Sequence, residues 1–262
     1  MNVKQEMQIP WHCIWITGAG RGIGAALARL LCERGATVYG SARNLDELNQ
    51  LQSSLVSAPG KFIPVPLDIR RPAEIAALFE RWDREQRFPE LVVLNAGTHD
   101  PASAEAFSAQ RCRRLLDINL QGTINCLDPV LHRYLADRKG HIAVMASVAG
   151  YRGLPTAAAY CASKAALISL CESLYMDLHG TGVRLQVINP GFVRTPLTDK
   201  NTFQMPALME VDDAAMAIYR GLLSSRFEIA FPRRFVFWMK LLRLLPNRLY
   251  LSLMRRATQK SL

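Results

Sequence analysis

Short apolar runs alternate with longer amphipathic stretches along most of the chain. Cys13-Ile14-Trp15-Ile16 is the first apolar run, and the stretch from about Ala25 to Arg34 has helical periodicity. Thr37–Ser41 reads as a second strand, Leu45–Val56 as a helix, Lys61–Pro66 as a third strand and Ala73–Gln86 as a helix. Leu91–Leu94 is continuously apolar, as strands buried on both faces of a parallel sheet are. Arg111–Ala136 predicts one long helix, His141–Met145 a fifth strand, Ala157–Leu178 a helix and Val183–Ile188 a sixth strand. The stretch onward to about Met209 contains Pro and Met and is weakly patterned, which predicts a mobile lid. Asp212–Leu223 reads as a helix and Glu228–Ala230 as a short last strand. Strand and helix alternate throughout, so the expected fold class is α/β, a three-layer, doubly wound parallel sheet. Residues 1–230 form one unit in this reading, and 231–262 a basic, amphipathic helical extension of the same domain. No internal repeat, low-complexity tract or linker interrupts the pattern.

Composition narrows the picture. Half of the 262 residues are apolar, enough for one domain with a large core. The net charge of +10 is unevenly placed: Phe231–Leu262 holds eight basic residues and no acidic one, leaving 24 basic against 22 acidic elsewhere. The basic sign therefore belongs to the tail and does not argue for nucleic acid. The six cysteines show no CxxC and no Cys/His cluster at zinc spacing, so free thiols in a reducing compartment and no metal site are expected. Met1–Pro10 is polar without an apolar signal core, and no stretch offers the ~20 apolar residues of a bilayer span. The expectation is a cytoplasmic protein.

The chemistry concentrates at Tyr160-Cys161-Ala162-Ser163-Lys164. Tyr160 and Lys164, four apart on a predicted helix, share a face. An ammonium beside a phenol favours the phenolate and lowers its pKa, so the pair suits proton exchange with a carbonyl or alcohol oxygen. At the other end of the chain, Thr17-Gly18-Ala19-Gly20-Arg21-Gly22-Ile23-Gly24 lies between a strand and a helix. Glycines there let the backbone approach a pyrophosphate, and the helix N-terminus favours its charge. The spacing is GxxxGxG, and a plain flexible turn is the alternative. An NAD ribose calls for a carboxylate at the end of the second strand. This strand ends Ala42-Arg43 instead. Arg43, with Arg21 from the loop, suits a ribose 2′-phosphate and hence NADP(H); the alternative is two solvated surface arginines. Asp68 is placed either to meet an adenine amino group or to cap the next helix, which Pro72 supports. Asn95-Ala96-Gly97 is a small-residue turn open to a cofactor. Asn119 is a weak helix former inside a predicted helix, suited to a backbone bend or a water, or simply to the surface. Ser147 directly follows the fifth strand.

These pieces resemble the short-chain dehydrogenase/reductase family in its single-domain Rossmann form, over roughly Cys13 to Ala230. The motifs are Thr17-Gly18, Gly22-Ile23-Gly24, Asn95-Ala96-Gly97, Asn119, Ser147, Tyr160 with Lys164, and Pro190-Gly191. The resemblance implies that Tyr160 is the acid/base, that Ser147 donates a second hydrogen bond to the substrate oxygen, and that Lys164 holds the nicotinamide ribose. It implies that Asn119 holds a water linking Lys164 to solvent. Thr195, with the backbone near Val193, matches the nicotinamide-carboxamide position, and Asp68 with Ile69 the adenine position. Arg21 and Arg43 match the basic positions of NADP-preferring members. A homodimer or homotetramer through the two long helices near Asn119 and Tyr160 is implied as well. The function expected is hydride transfer between NADP(H) and an apolar or lipid-like carbonyl or secondary alcohol. A protein that binds NADP(H) as a sensor or scaffold without chemistry is the rival reading.

The tail adds Phe235–Leu245, strongly apolar with Lys240 and Arg243, then Pro246, then Asn247–Arg256. In the second segment Arg248, Ser252, Arg255 and Arg256 share one helical face, and Leu249, Tyr250, Leu253 and Met254 take much of the other. Such a segment suits an anionic membrane surface on the inner face, or packs on its own subunit or a neighbour's over the substrate cleft.

Overall fold

The computed structural model describes residues 9–201 and 203–259, with side chains described as far as Arg256. The signal-core expectation for Met1–Pro10 therefore falls largely outside the described residues, as does the tail base Lys260. Seven strands form one parallel sheet: β1 (Cys13–Thr17), β2 (Thr37–Ala42), β3 (Lys61–Pro66), β4 (Leu91–Leu94), β5 (Gly140–Met145), β6 (Val183–Pro190) and β7 (Glu228–Phe231), in the order β3-β2-β1-β4-β5-β6-β7. Helices α1 (Gly22–Glu33), α2 (Leu45–Ser54), α3 (Pro72–Glu85), α4 (Ala109–Leu116), α5 (Gly122–Asp137), α6 (Ala158–Asp177) and α7 (Val211–Leu223) connect them. This is the expected doubly wound α/β fold.

The sheet is buried on both faces, which explains the unbroken apolar runs. Every residue of β4 is buried, as are Ile14, Trp15, Ile16 and Thr17 in β1. One core layer packs α1 and α7 against the sheet; the other gathers α3, α5 and α6. In the second layer Trp15 and Trp82 are fully buried with ring centroids 5.3 Å apart, edge to face, and the Trp15 indole N–H donates to Ser41 Oγ at 2.8 Å. That bond satisfies the one polar atom that burying Trp15 would otherwise strand.

The structure corrects several boundaries. α1 begins at Gly22 rather than Ala25, so two loop glycines form its first turn. β6 runs two residues further than expected, to Pro190, because its end pairs with β7 at Pro190 and Phe231. The single helix expected over Arg111–Ala136 is divided. α4 ends at Leu116, Asp117–Gln121 form a π-helical turn, and α5 follows. Asn119, 0% exposed, sits in that turn, so the surface reading of it is overturned and the bend is real. The stretch expected to be a lid is tied at its base: Arg194 N–H donates to the Met209 carbonyl at 2.9 Å and Met209 N–H to the Phe192 carbonyl at 3.0 Å.

The tail forms α8 (Arg233–Leu244) and α9 (Asn247–Gln259). It packs on its own chain: Val236 and Met239 join the α5–α6 core layer, and Tyr250 is buried with its hydroxyl donating to the Gly153 carbonyl at 2.7 Å. The apolar face predicted for the last helix is split, with Tyr250 and Met254 turned inward and Leu249 and Leu253 exposed. Among the described residues no helix is long and apolar enough to cross a membrane, and all six cysteines are free.

Candidate active site

A cleft of about 630 Å³ opens at the carboxyl ends of the strands, where the chain order reverses between β1 and β4. Its floor begins at the glycine loop. Gly18 has φ +69°, and a Cβ there would stand 2.8 Å from the Ala96 Cα. A Cβ on Gly24 would stand 2.2 Å from the Gly18 carbonyl oxygen. A larger residue at either position would push the loop off the strand or off the turn across from it. Asn95 fixes that turn: its side-chain amide donates to the Thr17 and Gly18 carbonyls at 3.0 and 3.1 Å. Thr17 Oγ1 in return accepts from the Asn95 and Ala96 N–H groups at 3.0 and 3.1 Å. Arg21 is the N-cap of α1, with no side-chain cap and no acidic residue in the first turn. The helix therefore presents free N–H groups and its positive end to the cleft, a donor set that fits a pyrophosphate.

Every sequence-predicted site residue lines this cleft except Gly24 and Asn119, which lie behind its wall. Tyr160 and Lys164 enter from α6. Lys164 is buried, donates to the Met145 carbonyl at 2.7 Å, and stands 5.8 Å from the Tyr160 ring centroid. Ser147, at the end of β5, caps a short helical turn by accepting from Ala149 N–H at 3.1 Å; it donates to the Pro190 carbonyl at 3.4 Å and lines the same cleft as Tyr160. The ends of β5 and β6 and helix α6 thus meet at one end of the cleft.

The pKa directions differ from the sequence expectation. Burial pushes the Tyr160 phenol up to about 12, against a lowering by the nearby Ser147 hydroxyl. Burial pushes Lys164 down to about 8. The lowering of Tyr160 expected from Lys164 does not outweigh burial: the ammonium stands 5.8 Å from the ring centroid, is bonded to the Met145 carbonyl and is itself desolvated.

Asn119 is held from two sides. Its Oδ1 accepts from Thr98 N–H at 2.7 Å, and its Nδ2 donates to the Thr98 carbonyl at 2.9 Å and to Ser163 Oγ at 3.1 Å. Ser163 Oγ donates in turn to the Tyr160 carbonyl at 2.7 Å. The side chain therefore locks the π turn to the Asn95–Thr98 turn and to α6.

At the far end of the cleft, Arg43 is exposed and its charge helps to lower Asp68. The Arg70 guanidinium pairs with Asp68 and holds that carboxyl down to about 2. Asp68 does not cap α3: Arg71 is the cap residue and makes no side-chain cap bond. Glu47, from α2, stands 3.8 Å from Arg21. Sequence reasoning missed Glu47 and Arg70 because nothing in their local pattern marks them as facing a cleft. It missed His99 likewise, a buried ring 4.7 Å from the Tyr160 ring. Ser163 was legible in principle, lying inside the Tyr160–Lys164 stretch. From the lid, Leu197 and Lys200 complete the wall. Among the described residues no group of His, Cys, Asp and Glu is arranged to hold a metal.

Comparison with known proteins agrees with this geometry. The family described as short chain dehydrogenase matches residues 12–205. An uncharacterised oxidoreductase of Myxococcus xanthus is 37% identical over 249 residues, spanning 95% of this chain and 98% of its own. A solved short-chain dehydrogenase from Sphingobium yanoikuyae, in complex with NADPH, superposes with a TM-score of 0.78 at 24% identity, covering 95% of this chain and 96% of its own. A 3-oxoacyl-(acyl-carrier protein) reductase from Brucella melitensis with bound NAD superposes with a TM-score of 0.72 at 25% identity, covering 88% and 95%. The chain is an oxidoreductase with a nicotinamide-dinucleotide-binding fold, and it belongs to the short-chain dehydrogenase family.

Proposed function

We propose that the protein is an NADPH-dependent carbonyl reductase, reversible as an alcohol dehydrogenase, acting on an apolar or lipid-like substrate. The observation that carries this reading is the convergence of Ser147, Tyr160 and buried Lys164 on one end of the cleft. The cofactor supplies the hydride. The Tyr160 hydroxyl gives its proton to the carbonyl oxygen, and Ser147 donates a hydrogen bond to the same oxygen as charge develops. A phenol raised to about 12 stays protonated at neutral pH and is still a stronger acid than the product alcohol, so it can give its proton to the alkoxide that hydride addition forms. Lys164 and the Asn95–Gly97 turn hold the nicotinamide half, with Pro190, Gly191, Val193 and Thr195 across the cleft.

Arg43 supports NADPH over NADH, since β2 ends without a carboxylate and the guanidinium faces the cleft mouth. Related structures carry both cofactors, so the choice rests on this chain's own residues. Ile118, Pro196 and Leu197 give the reacting end an apolar wall. In the same proposal the enzyme works in the cytoplasm as a dimer or tetramer; exposed Leu135, Tyr175 and Met176 on α5 and α6 support the pairing.

The deciding experiment is Tyr160→Phe. Turnover of apolar ketones with NADPH is expected to fall at least ~10²-fold while NADPH still binds. Undiminished turnover would remove Tyr160 from the mechanism. Wild-type protein that binds NADPH but consumes none with any ketone or alcohol would favour the sensor reading.

A further inference from the structure

We propose that the outer face of α8 and α9 docks the protein onto the surface of an anionic phospholipid bilayer. One side of α8 is committed to the core through Val236 and Met239. The opposite side presents Arg234, Phe237, Trp238, Leu241 and Leu244, a stripe at helical spacing; Phe237 is 63% exposed, Trp238 60% and Leu244 80%. α9 extends it with exposed Leu249, Leu253 and Arg256. These side chains are held in place by the fold. Arg152 donates to the Leu242, Arg243 and Leu245 carbonyls at 3.3, 2.9 and 2.7 Å and stacks at 4.2 Å on the Tyr250 ring, fixing the corner between the helices.

Charge selects the occupant. No acidic residue occurs from Phe231 onward. Among the described residues, Lys240 is the one tail base in an ion pair, with Glu228. Arg233, Arg234, Arg248, Arg255 and Arg256 are exposed beside the apolar stripe. A second copy meeting the same face would set these cations against their own kind. A nucleic acid backbone would leave Phe237, Trp238 and Leu244 without an apolar partner. An anionic headgroup layer with acyl chains beneath satisfies both halves, with the helices lying in the interface rather than across it.

The face also adjoins the reaction site. Phe235 of α8, Phe192 and lid residue Phe203 form a chain of rings with centroids 5.7 Å apart at each step. A Cβ on cleft residue Gly191 would lie 2.9 Å from the Phe235 ring. The helix that docks therefore also borders the cleft and the lid, which keeps the reaction site close to a bilayer where an apolar carbonyl substrate would be concentrated. Docking itself stands independently of the catalytic reading.

Sedimentation with sucrose-loaded vesicles tests it. The full chain is expected to pellet with mixed phosphatidylcholine–phosphatidylserine vesicles and to remain in the supernatant with phosphatidylcholine alone. Trp238→Ser with Leu244→Ser, and separately Arg255→Glu with Arg256→Glu, are each expected to weaken partition about tenfold or more. Unchanged melting temperatures would show that both variants fold. Wild type that stays in solution at low salt overturns the proposal, as does equal pelleting by the two variants. Light scattering that shows self-association abolished by Trp238→Ser, without vesicle binding, would assign the face to a second copy instead.

Discussion

Lys164 shows what the site costs at the scale of one residue. Its amino group is buried and its pKa lies at about 8 against an ordinary 10.5, a difference of about 3 kcal/mol at ~1.36 kcal/mol per unit. Because the folded-state value is depressed, the unfolded chain binds the proton more readily. The penalty is fully present below pH 8 and fades as the pH rises toward 10.5. Replacement by a neutral side chain removes the penalty but also the bond to Met145, worth about 1 kcal/mol. We therefore expect Lys164→Met to be inactive yet more stable than wild type by about 2 kcal/mol at pH 7, the gain shrinking at pH 10. Urea melts at the two pH values check this, and a less stable variant at pH 7 would show that the ammonium is better solvated by the cleft than its burial implies.

At the scale of elements, two joints decide where side chains go. The π turn at Asp117–Gln121 places Asn119 between the Asn95–Thr98 turn and α6. The corner between α8 and α9 is held by Arg152, whose planar fork serves several carbonyls at the end of α8. A cation at a helix C-terminus also opposes the macrodipole. Arg152→Ala is expected to weaken the docking of the tail by about 2 kcal/mol. Hydrogen exchange should then quicken through α8 and α9 and stay slow in β4. Arg152→Lys should rescue little, since a point charge cannot match the fork or the stack on Tyr250. Exchange that quickens equally in β4 would mean the tail unfolds only with the whole chain.

For the whole molecule, cofactor binding and stability are linked. NADPH at a hundred times its dissociation constant should add ~2.7 kcal/mol to stability. For a chain of this size that raises the melting temperature by roughly 5–10 °C. NADH at equal concentration should raise it less, and Arg43→Ala should bring the two shifts together. Equal shifts in wild type would mean that Arg43 does not select the 2′-phosphate.

The sequence by itself determined the α/β class, the alternation of strands and helices along the chain and the family. Parallel strands buried on both faces must be apolar throughout, and a phosphate loop needs glycines that no other residue replaces at Gly18 and Gly24. Those requirements are local, so they are written in consecutive residues. What only the tertiary structure decided depends on which groups burial brings together. The direction of the Tyr160 shift was misjudged because helical spacing places Lys164 nearby but cannot show that its ammonium is bonded to Met145 and desolvated. The π turn was read as plain helix because apolar periodicity barely registers one inserted residue. Glu47, Arg70 and His99 entered the site through folding alone. The split of the last helix into a buried Tyr250 side and an exposed Leu249–Leu253 side was set by Arg152 and Gly153, nearly a hundred residues earlier in the chain.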